Sequence, residues 1–107
     1  MKIHDKLEEQ CVLICEAAEA CSAPVSYHPT KNPKAALIYS SKNIALLTIK
    51  EHPDHWLAQP YKVDIDKWVW AEEEGFSRED IWKDKKLQEM IFLPTTRKNL
   101  YKHLGIS

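Results

Sequence analysis

The apolar positions of this chain change their period twice. Near the start Leu7, Cys11, Ile14, Cys15 and Ala18 recur at helical spacing, which predicts a helix over residues 5–21 with one side inward. Asp5 stands as its N-cap, and Glu8 three positions on completes a capping-box-like pair. Val12 and Leu13 fall outside the stripe, so the expected buried face is broad, and Pro24 prevents the helix from continuing.

The period then shortens. Ala35 to Ser40 and Ile44 to Lys50 are two β-rich runs around the turn residues Ser41, Lys42 and Asn43, a β-hairpin pattern. Ile44, Ala45, Leu46, Leu47 and Ile49 put apolar groups on both faces, as a central strand with covering on both sides requires. In "YKVDIDKWVW", Val63, Ile65 and Val69 alternate with Asp64, Asp66, Trp68 and Trp70, which predicts a third strand reaching about residue 70. The competing pattern is a short helix capped by Asp66 and stopped at Gly75.

Helical spacing returns in the tail. Ser77 with Asp80 three residues on forms a box-like start. Ile81, Trp82, Leu87, Ile91 and Phe92 do not share one stripe, which a break near Asp84 explains. After Pro94, Thr95 or Thr96 caps a last helix whose end carries Gly105 at C′ and Ile106 at C″, a Schellman arrangement. The expected architecture is α+β: an antiparallel β-meander of about three strands, packed on one face against an N-terminal helix and two short C-terminal helices.

Composition narrows the functional classes. The 107 residues suit a single domain, 44% are hydrophobic and 29% charged, and the net charge is −1. No window is apolar enough for a membrane helix. The opening "MKIHDKLEEQ" has no apolar run behind a basic start, so no secretory signal is expected. Three cysteines without a CxxC pair then read as reduced thiols in the cytoplasm. Charge is uneven: residues 1–76 hold 8 Lys/Arg and 12 Asp/Glu, while residues 77–107 hold 7 Lys/Arg and 4 Asp/Glu.

The candidate chemistry is sparse. No glycine-rich phosphate loop, G-x-S-x-G elbow or flanking signature of a catalytic cysteine occurs, so no catalytic residue is assigned and no cofactor is expected. Cys11 and Cys15 share the apolar stripe of the first helix and read as small core hydrophobes. On the expected third strand, Asp64, Asp66, Trp68 and Trp70 share one face, an aromatic and acidic surface suited to binding another protein or a second copy of this chain. This is the leading expectation: a small, non-enzymatic, cytoplasmic interaction domain, with a homodimer formed through a sheet edge as one version of it.

Two alternatives stand beside it. In "TTRKNLYKHLGI", Arg97, Lys98, Asn99 and Lys102 follow a proline turn, and over about a dozen residues the segment resembles the recognition helix of helix-turn-helix regulators, which implies contacts to phosphates and base edges. In "EHPDHW", Pro53 and Asp54 fit the centre of a type I turn, which brings His52 and His55 together. With Asp54, or with Glu51 or His28, as a third donor, these histidines are the candidate metal ligands.

Overall fold

The computed structural model describes residues 3–106. Five antiparallel strands form one sheet in the order β1-β2-β3-β4-β5. They are β1 (Ser26–Pro29), β2 (Ala35–Tyr39), β3 (Ile44–Glu51), β4 (Trp56–Val63) and β5 (Phe92–Pro94). The helix α1 (Ile3–Ala20) precedes the sheet; α2 (Ile65–Glu73), α3 (Arg78–Lys83) and α4 (Lys85–Ile91) lie between β4 and β5; α5 (Arg97–His103) ends the fold. The α+β class and the meander agree with the sequence pattern, with five strands where about three were expected.

Period-two alternation along the central hairpin dictates the layering. In β2 and β3 the pairs Ala36–Leu47 and Ile38–Ala45 face one side, while Leu37–Leu46 faces the other. The first side, joined by Ile49, meets Leu7, Cys11, Ile14 and Ala18 of α1 and Leu100, Leu104 and Ile106 from the α5 end. The second side, joined by Ala35 and Val63, meets Trp68 and Ala71 of α2, Ile81 of α3, and Leu87, Ile91 and Phe92. Helices therefore cover both faces of the sheet, where the tail pattern had suggested one. No helix among the described residues is long and apolar enough to cross a membrane.

The element boundaries have local causes. The β2–β3 turn closes with the Ser40 N–H donating to Asn43 O at 2.9 Å, and the Ser40 hydroxyl accepts from the Asn43 N–H at 3.0 Å. Ser77 and Asp80 form a reciprocal capping box, and Asp84 ends α3 while its carboxylate accepts from the Lys86 and Leu87 N–H groups that open α4. The break expected near Asp84 is thus a shared cap. Thr96 caps α5 by accepting from the Asn99 N–H at 3.1 Å. Asp5, expected as the cap of α1, lies inside its first turn, where a carboxylate still complements the helix dipole. The buried face of α1 is also narrower than expected, with Leu13 44% exposed.

The largest departure is the segment from Asp64 to Trp70, which is helical. Asp64, not Asp66, is the N-cap: its side chain accepts from the Lys67 N–H at 3.2 Å, and its carbonyl accepts from the Trp68 N–H at 2.9 Å. The third strand of the meander lies upstream, in "WLAQPYKV". Its strand pattern is masked by Pro60, which has no N–H to give to a ladder. The Pro60 carbonyl accepts from the Thr95 N–H, so the missing donor also points toward the β5 side, just beyond the three residues of β5 that pair. Pairing with β3 is left intact. The edge strands β1 and β5 were missed as well. Each is short and ends on a proline, which discourages edge-to-edge pairing.

Three helices end in Schellman geometry. Gly75 (φ +89°) and Gly105 (φ +80°) occupy C′ in α2 and α5, with Phe76 N–H donating to Ala71 O at 2.9 Å and Ile106 N–H to Tyr101 O at 2.8 Å. At the end of α1 the same position holds Ser22 at φ +58°, and the Ala23 N–H donates to Ala18 O at 2.8 Å. A left-handed serine carries a steric cost that glycine avoids. Ser22→Gly is expected to stabilise the fold by about 0.5–1 kcal/mol, and Gly105→Ala to destabilise it by a similar amount, both read from urea denaturation midpoints at constant m-value.

Candidate functional site

The four residues expected on one strand face are divided by the helix they occupy. Two residues along a strand return to the same face, but two along a helix turn by about 200°. Asp64 and Trp68 therefore lie on one side of α2, and Asp66 and Trp70 on the other. Trp68 is core, 5% exposed, tilted against Phe92 at 6.3 Å between ring centroids and covered by the Arg78 guanidinium at 6.0 Å. Asp64 is occupied as a cap and half-buried. Neither belongs to an open surface.

Asp66 and Trp70 do. Trp70 is 42% exposed, as is Val69. Asp66, Val69, Trp70 and Glu73 follow i, i+3, i+4, i+7 spacing and make one outward stripe. Exposed Glu72 and Glu74 flank it, and Lys67 is the one cation of the helix. The Trp70 ring leans on Phe76 at 6.0 Å and 40°, which limits its rotation. A large, restrained aromatic beside an exposed β-branched residue, ringed by carboxylates, has the make-up of a binding hot spot. Val69, Glu72, Glu73 and Glu74 were not among the residues expected here. A helical reading of the same segment would have placed them, since the stripe exists only at a 3.6-residue period.

The histidine pair is in a hairpin. The His52 N–H donates to His55 O at 2.9 Å and the His55 N–H to His52 O at 3.4 Å, with Pro53 and Asp54 as the two residues of the β3–β4 turn. The imidazoles stack with centroids 4.9 Å apart and 12° between planes, so the expected convergence is present. The expected third ligand is not. Among the described residues no three His, Cys, Asp or Glu side chains are grouped to hold a metal ion, and the whole turn from Glu51 to His55 is exposed. His28 lies in edge strand β1 against Tyr39, with its ring edge-on at 5.0 Å. A zinc site needs at least three protein donors, and among the described residues no third is grouped with His52 and His55.

The basic C-terminal helix is a seal on the first core. Leu100, Leu104 and Ile106 are buried, and Asn43 Nδ2 donates to His103 O at 2.7 Å. His103 Nε2 lies 2.9 Å from Ile44 O, so the proton sits on that nitrogen and is donated to the carbonyl. Arg97, Lys98, Asn99 and Lys102 are exposed, but Arg97 donates to Gln10 Oε1 on α1 at 2.7 Å. The proline segment ahead of α5 is strand β5, which lies between α4 and α5.

Cysteine chemistry is also limited by burial. Cys11 has no exposed surface, and burial, with the thiol of Cys15 and the carboxylate of Glu8 nearby, pushes its pKa up to about 12. Burial raises the Cys15 thiol too. Compared with protein-family models, curated proteins and solved structures, the chain matches none. The fold and surface define it as a helix-covered antiparallel meander with an acidic, aromatic helix face.

The Cys11 shift sets a pH dependence. A thiol whose folded pKa lies above its unfolded value favours the folded state most below the unfolded value, here 9.0. Stability should therefore fall between about pH 9 and 12, by up to about 1.4 kcal/mol per unit from this group. Cys11→Val should flatten that alkaline limb in pH-dependent denaturation. In the native protein at pH 8, iodoacetamide should label exposed Cys21 first and Cys11 only after unfolding.

Proposed function

We propose that this chain is a non-enzymatic protein-interaction domain that docks a basic, amphipathic protein segment on the outer face of α2. The exposure of Trp70 and Val69 on one stripe, with Asp66, Glu72, Glu73 and Glu74 around them and one lysine among them, carries the reading. The aromatic and the valine offer an apolar anchor, and the carboxylates choose the sign of the partner and speed its encounter. The sequence reading placed the same function on Asp64, Asp66, Trp68 and Trp70; Asp66 and Trp70 carry over. A reducing compartment such as the cytoplasm fits three cysteines that include a fully buried thiol.

A synthetic amphipathic Leu/Lys peptide is the probe, with a scrambled peptide of the same composition as control. Binding should shift the backbone amides of α2, weaken with salt, and fall by about tenfold or more in Trp70→Ala and Glu73→Lys. Amide shifts centred elsewhere, or an affinity that Trp70→Ala leaves within twofold, would remove the reading. Concentration-dependent sedimentation abolished by Trp70→Ala would make the partner a second copy of the chain.

A further inference from the structure

Where α3 and α4 meet the sheet, residues of β2, β3, β4 and β5 and of the two helices line a groove of about 320 Å³, within the usual range for small-molecule sites. Its apolar lining includes Ala35 and Leu46 from the sheet, and Tyr61, Trp82 and Phe92 give it three aromatic rings. Trp82 is held in place: it stacks on Phe92 at 5.4 Å and 17°, and its carbonyl accepts from Gln88 Nε2 at 2.7 Å.

Three residues of the lining carry polar side-chain atoms that bond to nothing else in the described protein. Among the described residues, Tyr61 Oη, Asn32 Nδ2 and Lys85 Nζ make no hydrogen bond or ion pair, although all three residues line it. All three can donate. The surrounding segments, residues 31–34 and 78–89, hold six Lys/Arg against four Asp/Glu. Two of those acids, Asp80 and Asp84, turn their carboxylates toward helix N-termini as caps, and Glu79 is paired with Lys31. Glu89 is the one lining acid of the groove. The segments around the groove thus carry a net two positive charges, and its own lining carries one cation, Lys85, and one anion, Glu89, beside an aromatic box, a combination distinct from the acidic face of α2.

We propose that this groove is a binding site for a small planar aromatic carboxylate, its ring against Trp82 and Tyr61 and its acid group on Lys85 and the Asn32 amide. An aromatic ring gains most where the wall is already aromatic and restrained, because little side-chain entropy is left to lose. The carboxylate takes the donors that the fold leaves unused, and the exposed Lys85 can reach it as a point charge.

A charge series on one ring tests the assignment: indole-3-acetate, indole-3-acetamide and tryptamine, titrated into the isotope-labelled protein. Indole-3-acetate should saturate with a dissociation constant near or below about 1 mM, as a ligand of its size in a fitted site would. The shifts should centre on Leu46, Thr48, Gln88 and the Trp82 indole N–H, and tryptamine should bind at least about tenfold more weakly. Lys85→Glu, a change at an exposed position that keeps the fold, should weaken the acetate by tenfold or more and reverse the order of the series. Trp82→Phe should weaken all three probes together. The proposal is overturned if the three probes bind within twofold of each other, if none saturates below about 10 mM, or if the shifts lie outside the groove.

Discussion

The structure depends on one constraint: the central hairpin is apolar on both faces. Leu37 and Leu46 point one way, Ala36, Ile38, Ala45 and Leu47 the other, and all six are buried. Each such side chain left in water forgoes roughly 1.5–3 kcal/mol for the larger residues. A two-faced hairpin cannot be satisfied by one helical layer. The chain must send helices to both sides, and its order of elements follows from that need. Helix α1, ahead of the sheet in the chain, covers one face; α2, α3 and α4 cover the other; β5 then returns the chain to the sheet, and α5 closes the first face.

That economy leaves the two surfaces with most chemical character. The layer over the second face is built from helices of nine, six and seven residues, joined by caps rather than by long loops. Helices so short bury few residues each and must present the rest. On α2 the presented residues include Trp70 and Val69 among carboxylates, because Trp68 and Ala71 already use the inward side. Where α3 and α4 meet the sheet, aromatic rings and unpaired donors surround a groove. The two surfaces differ in charge: α2 sets Asp66, Glu72 and Glu73 against one lysine, whereas the segments around the groove hold six Lys/Arg against four Asp/Glu.

Much of the fold was legible where local chemistry is decisive. The hairpin boundaries follow the β-rich runs on either side of a Ser-Lys-Asn turn, and the caps at Ser77, Asp84 and Thr96 use side chains that satisfy helix N–H groups within their own segment. The C-terminal Schellman end rests on a glycine at positive φ and an apolar residue after it. Beta strands with prolines were illegible. Pro60, Pro29 and Pro94 weaken the local strand pattern of β4, β1 and β5, and only pairing with a neighbour far along the chain reveals which side of each strand has no need of a donor.

For the candidate sites the division is sharper. The residue types at 64–70 fit both periods two and 3.6, so their sequence fixes neither which tryptophan is buried nor which acid is exposed. The tertiary structure decides, because a helix lets Trp68 fill the second core against Phe92 while a strand would have split the two tryptophans from it. By contrast the stacking of His52 on His55 follows from a two-residue turn with Pro53 in it, and sequence alone brought them together. What the amino-acid order determined is therefore what neighbours in sequence can enforce: turns, caps and the two-faced hairpin. What lies exposed, paired or hollow is set by which distant elements come to cover it, and that information exists only once both faces of the sheet have been filled.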